Sequence, residues 1–249
     1  MTDLTITTLA DRPELIERVY DIENTWPAFI DGDTVANALL HRVAADFPEF
    51  CVMATDQDGT PVARGLSIPF RFGVPQREEL PDGGWDRVLT WAYNDKKAGL
   101  QVNTASALEI MIAPDRLGSG LSYRMLTAMR EAVVKQGMET LVAPVRPNEK
   151  HLAPLSPMHE YIKLTRPDAL PQDAWLRVHV RAGATIEKVA PASMVVAGSL
   201  AQWRTWTGLP FDKDGDVVVP GALVPVNCSV THDRAVYVEP NVWVRHNLT

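Results

Sequence analysis

The chain has 249 residues, 46% of them hydrophobic, with 24 Lys+Arg against 31 Asp+Glu and a net charge of −7. That length and apolar content suit a globular protein with a sizeable core. The acidic balance argues against a nucleic-acid binder, which needs a basic face, and no apolar run reaches the roughly 18 residues that span a membrane. Met1-Thr2-Asp3-Leu4 lacks the basic region and apolar core of a secretory signal. Cys51 and Cys228, far apart in sequence, read as reduced, buried thiols of a cytoplasmic protein.

In chain order, residues 4–9 alternate β-branched positions and predict a first strand. Pro13 to Asn24 predicts a helix, with Asp11 as its cap and Pro13 in its first turn. Thr34 to Ala45 is a second helical pattern. Residues 50–55 and 61–69 predict two strands joined by a turn at Asp58-Gly59. Ala107 to Ala113 predicts a fourth strand and Thr140 to Val145 a fifth. Between them Leu121, Met125, Ala128, Met129, Ala132 and Val133 recur at helical spacing, up to a stop at Gly137. Further strands are expected near Thr185 to Val189 and over the alternating tail, Ala235 to His246, with another apolar run at Ser193 to Ala197. No element is assigned to 202–228.

The segment from Ala107 to Gly137 carries most of the chemistry. A strand ends at Pro114, and the glycine turn Leu117-Gly118-Ser119-Gly120 opens a helix. The first N–H groups of a helix lack intrahelical partners, and the helix dipole adds positive character there. Glycines let an anion approach that backbone closely. A P-loop fails, because Gly120 is followed by Leu121 and Ser122 rather than Lys-Ser/Thr. A dinucleotide fingerprint is weak, because Tyr123 occupies the place of its third glycine.

The remaining motif resembles the acyl-CoA loop of the GNAT N-acetyltransferase superfamily. Its pattern is a strand, Val-x-Pro, then Arg/Gln-x-x-Gly-x-Gly/Ala opening a helix. Here it reads Ile112-Ala113-Pro114, then Leu117-Gly118-Ser119-Gly120-Leu121-Ser122, with Leu117 in place of Arg/Gln and Ser122 in place of Gly/Ala. The element order from residue 3 to about 148 is similar to that superfamily's core. The resemblance implies an α/β (α+β) fold, with a mixed, mostly antiparallel sheet flanked by helices. It also implies one acyl-CoA N-acyltransferase-like domain over 1–249. Insertions at about 71–104, with Asp86 to Lys97 helical, and at 149–174 interrupt that core, and an extension covers about 198–249. The insertions offer a substrate lid or the face of a homodimer.

The resemblance further implies that Met111, Ile112 and Ala113 pair with the pantetheine arm of acetyl-CoA or another acyl-CoA. Gly118 to Ser122 then hold its pyrophosphate, and Asn148 stands near the cofactor. Glu109 is the expected general base if it is partly buried; otherwise it is a solvent-facing strand residue. His179, four residues before Gly183, stands where relatives carry a tyrosine that protonates the leaving thiolate; an ordinary imidazole titrates near neutrality. His151, His159, His232 and His246 show no metal-ligand spacing, so no metal is expected. The leading expectation is acyl transfer to a small-molecule amine by direct attack in a ternary complex, without nucleic acid or membrane. The second is a catalytically silent acyl-CoA-binding module. Whether Glu109 and His179 face one cleft separates the two.

Overall fold

The computed structural model describes residues 4–249; the leader reading at Met1-Thr2-Asp3 falls outside them. Among the described residues nine strands form one sheet: β1 (Thr5–Thr8), β2 (Val52–Thr55), β3 (Pro61–Phe70), β4 (Thr104–Ile112), β5 (Thr140–Val145), β6 (Thr185–Gly198), β7 (Gly215–Val217), β8 (Val226–Ser229) and β9 (Arg234–Asn247). Strand order is β1-β2-β3-β4-β5-β9-β8-β7, with β6 along the other edge of β9. The pair β4–β5 is parallel and the others are antiparallel. The helices are α1 (Thr34–Leu39), α2 (Val43–Asp46), α3 (Gly84–Ala98), α4 (Leu121–Lys135), α5 (Met158–Tyr161), α6 (Ala174–Arg181) and α7 (Leu200–Thr207). Among the described residues no helix is long and apolar enough to cross a membrane.

The amphipathic pattern of 121–133 becomes α4, which buries Leu121, Met125, Leu126, Met129, Ala132 and Val133 against β1 to β4. Gly65 of β3 is the contact that lets it sit close: a Cβ there would stand 2.7 Å from the Met129 sulfur. The helix predicted in the first insertion is present as α3, packed on β3 and β6. It ends at Gly99, whose φ of +63° suits glycine.

Two predicted helices differ. Pro13–Asp21 is a 3-10 helix capped by no side chain, and Asp11 instead bonds Thr8 and Lys135. The pattern from Thr34 to Ala45 breaks after Leu39 into α1, a 3-10 turn at Leu40–Arg42, and α2. The carbonyls of Leu39 and Leu40 at the break accept hydrogen bonds from the Tyr93 and Tyr20 hydroxyls. Those tertiary partners satisfy groups that an unbroken helix would have satisfied internally. The apolar stretches at 185–189 and 193–197 are one strand, β6, irregular between Ala190 and Met194. The unassigned region supplies α7, β7 and β8.

Asp33 caps α1, accepting from the Val35 and Ala36 N–H groups. Its second oxygen and Oδ1 of Asp86 are buried without another partner, while Asp86 Oδ2 accepts from the Val195 N–H. Burial, then the neighbouring Asp33, pushes Asp86 up to about 8. Burial raises Asp33 too. The pair therefore shares a proton when folded, whereas an unfolded Asp gives it up near 3.9. This contribution to stability is full below about pH 4 and is lost as pH rises towards about 8. Asp86→Asn keeps a donor for Asp33 without the ionisation. At pH 9 it is expected to raise Tm, by roughly 3 °C for each kcal/mol recovered, and to flatten the decline of Tm from pH 5 to 9 in thermal scans.

Candidate active site

Strands β4 and β5 pair only at Ala105↔Leu141 and Ser106↔Val142. Beyond that point both continue, to Ile112 and Val145, but they diverge. The register of β3 with β4 slips between Leu66 and Ser67, which leaves Leu108 as an extra residue on β4. Such a bulge bends and twists the strand that carries it. The bent strand is anchored by Trp85 of α3, whose Nε1 donates to the Leu108 carbonyl at 3.1 Å.

The divergence opens a cleft of about 540 Å³ between Ala107–Ile112 on one side and Ala143–Arg146 on the other. One end is the glycine turn. Gly118 and Gly120 have φ of +74° and +78°, and a Cβ at either would meet nothing within 4 Å. The glycines thus meet a conformational need and leave open space before the backbone. Gly120 caps α4 with no side-chain hydrogen bond, so no side chain competes for the first N–H groups of that helix. Leu117 is 64% exposed, and the neighbouring Arg116 lines the cleft.

Trp26, Trp85, Met194, Arg146 and Asn241 also line the cleft. Arg146 Nε sits 2.9 Å from Glu239 Oε2, and Glu239 also accepts from the Tyr237 hydroxyl and the Asn241 amide. Glu239 is fully buried, and an unpaired charge there would be costly, so Arg146 is tethered at the cleft wall. Glu109 lies on the wall as well, almost fully buried, with Oε1 2.6 Å from Arg64 Nε. Arg64 in turn donates to the Val19 carbonyl and lies over the Tyr20 ring.

His179 forms part of the wall from α6, so it and Glu109 do share one cleft. Its titration differs from the sequence expectation. Burial, reinforced by the His246 ring, pushes His179 down to about 3, so it is neutral at pH 7 rather than poised there. His246 of β9 meets it, Nδ1 to Nε2, at 3.0 Å. Of the residues expected around the cofactor, Met111, Ile112, Leu117, Gly118, Gly120, Leu121, Ser122 and Asn148 line the cleft. Ala113 and Ser119 stand just beyond it. Trp26, Arg116, Arg146, Asn241 and His246 carried no usable sequence signal except Arg116, the basic residue beside the position of the missing Arg/Gln.

No family model matches the chain. The arginine N-acetyltransferase avaD of Aspergillus versicolor is 32% identical over 271 aligned residues, covering 96% of this chain and 92% of the relative. The chain belongs to the GNAT N-acetyltransferase superfamily. Two solved GNAT-like structures share its fold. The loading GNATL domain of CurA from Lyngbya majuscula has a TM-score of 0.61 at 18% identity, covering 100% of this chain and 98% of that one. The GphF GNAT-like decarboxylase, in complex with isobutyryl-CoA, has a TM-score of 0.54 at 17% identity, covering 99% and 100%. This GNAT protein is an acyl-CoA-dependent N-acetyltransferase, moving an acetyl or other short acyl group to an amine. Its splayed strands and open glycine turn suit an extended, anionic acyl donor.

Trp85→Phe keeps the ring packing but leaves the Leu108 carbonyl without its donor. It is expected to cost about 1–3 kcal/mol of stability in urea titration. The same variant should lower kcat, because the bulge that aims β4 is no longer tied to α3.

Proposed function

We propose that the chain acetylates the amine of arginine or a similar small cationic amine by direct attack within a ternary complex. The observation that carries this is the cleft itself, lined by an uncapped, glycine-opened helix start and by one carboxylate, Glu109, together with Trp26 and Trp85. The avaD relative, named for arginine, supports the choice of acceptor.

In this reading the backbone N–H groups of Gly118 to Ser122 hold the donor's pyrophosphate, and Arg116 supplies the charge that Leu117 lacks. The edge of β4 facing β5 is unpaired after Ser106, so along Met111 to Ala113 that edge is open to the pantetheine arm, while the Ala113 N–H and carbonyl are taken by Val62 and Arg116. Asn148 flanks that arm. Glu109 is the acid among the described cleft-lining residues. With one oxygen committed to Arg64, it draws in the cationic acceptor, holds the amine against the thioester, and passes its proton to water. Arg146, tethered by Glu239, faces the carboxylate of an amino-acid acceptor. His179 stands beside the sulfur. Holding both substrates in place accounts for much of the acceleration, worth ~7–11 kcal/mol in well-oriented systems.

We also read the whole chain as one unit, because β9 joins the core strand β5 to the later strands β6 and β8. The two buried free thiols, Cys51 and Cys228, support a reducing, cytoplasmic setting.

The acceptor is tested by following CoA thiol release with L-arginine, agmatine, L-lysine and tyramine. Release with arginine at least ~10-fold above tyramine is expected, since one charge-assisted contact is worth about 1.5–3 kcal/mol. A preference for tyramine, which has no charge beyond the reacting amine, would remove the reading of arginine and its like as acceptors. The donor end is tested separately with Gly120→Asp. A carboxylate in the cradle should abolish CoA binding in calorimetry, while Gly120→Asn, which tolerates the same backbone, should retain it. Equal affinity in both variants would dismiss the loop assignment.

A further inference from the structure

We infer that His246 is a positioning residue for His179: it fixes the tautomer in which His179 carries its proton on Nε2, the nitrogen left to face the cleft. This rests on the proposed reading of the cleft, since it is the thioester sulfur that the Nε2–H would meet.

The two rings are buried, 2% and 1% exposed, and joined Nδ1 to Nε2 at 3.0 Å. One proton bridges two neutral imidazoles, so either ring can be the donor. The far side of His246 decides which. Its Nδ1 is buried and has no partner. If His246 accepted, its own proton would sit on that Nδ1 as a buried N–H with no acceptor, which folded proteins keep more rarely than an unpaired acceptor. The charge on Arg130 of α4 bears on the His246 ring and disfavours added positive character there. If His246 donates from Nε2, its partnerless Nδ1 carries a lone pair and no proton. His179 Nδ1 then accepts, and its proton resides on Nε2.

The remaining surroundings keep this arrangement in place. From α6 the Trp175 ring stands edge-on to His179, with centroids 4.9 Å apart. On β9 the neighbouring Arg245 has the opposite strand parity, and its guanidinium reaches Glu187 on β6. Arg130 is thus the charged group bearing on the pair. Burial holds His179 near 3 and, with Arg130, His246 near 4, so both rings stay neutral throughout the working range. His179 acts as a neutral hydrogen-bond donor. As the acyl C–S bond breaks, the electron pair passes to sulfur and the Nε2–H stabilises it without leaving the ring. The thiolate takes its proton from water, which has received the proton lost by the amine.

Nitrogen-15 spectra of histidine-labelled, ligand-free protein test the tautomer directly. A one-bond proton on Nε2 of both rings, with Nδ1 bare in both, is the expected pattern. A proton on Nδ1 of His179 overturns the inference. Kinetics test the consequence. His246→Gln presents an amide N–H towards His179 and is expected to keep most of kcat. His246→Glu accepts from Nδ1 and turns Nε2 into an acceptor, so kcat should fall by about 100-fold with the KM for acetyl-CoA little changed. The new carboxylate should also raise His179 and add an ionisation to the pH–kcat profile. Equal kcat in the two variants overturns the inference. By contrast, full activity of His179→Ala would remove the reading of the cleft while leaving the spectroscopic assignment intact.

Discussion

Everything in the site depends on a pairing that stops. Two parallel hydrogen-bonded positions join β4 to β5, after which the strands part and the sheet opens through its middle. Unpaired strand edges are costly where buried and invite another chain or ligand to complete them. Here the bulge at Leu108 turns β4 away, Trp85 from α3 holds the turned strand, and β9 closes the sheet on the far side of β5. The opening is therefore built into the frame of the molecule and does not depend on a mobile loop.

Charge is handled in a matching way. Two of the arginines in the region of the cleft are each met by a nearly or fully buried carboxylate, Arg64 by Glu109 and Arg146 by Glu239. Such pairs contribute little net stability, but losing one partner leaves an uncompensated charge. Their effect is geometric: long side chains that would sweep through solvent are held at fixed places on the wall. The histidine pair extends this to neutral groups. Burial removes its ability to ionise near pH 7 and leaves direction, rather than charge, as its property.

The strand–turn–helix of Ala107 to Gly137 was legible because each signal is local. Alternation, two glycines and a period of about 3.6 residues act over a few neighbours, and α4 and the turn form where those signals lie. The same local logic placed α3 and β9. It failed at Pro13–Asp21, where Arg64 donates to the Val19 carbonyl, and at the Leu39–Leu40 break, where the Tyr93 and Tyr20 hydroxyls take up the carbonyls. In 202–228 it missed a local signal, the Ser199–Gln202 capping box that starts α7, and it could not see β8, which forms by pairing to β9.

By itself, then, the sequence made the strand–turn–helix and the fold class legible, because glycine φ, helix ends and strand periodicity are properties of short segments, and its resemblance to the GNAT superfamily gave the class of acyl donor. Only the tertiary structure decided what the reacting region contains. Arg64 meets Glu109 from 45 positions away, Arg146 meets Glu239 from 93, and His179 meets His246 from 67. Burial and partner choice are set where strands from distant parts of the chain converge. A histidine's protonation or a carboxylate's freedom follows from that convergence and from nothing in its immediate neighbours.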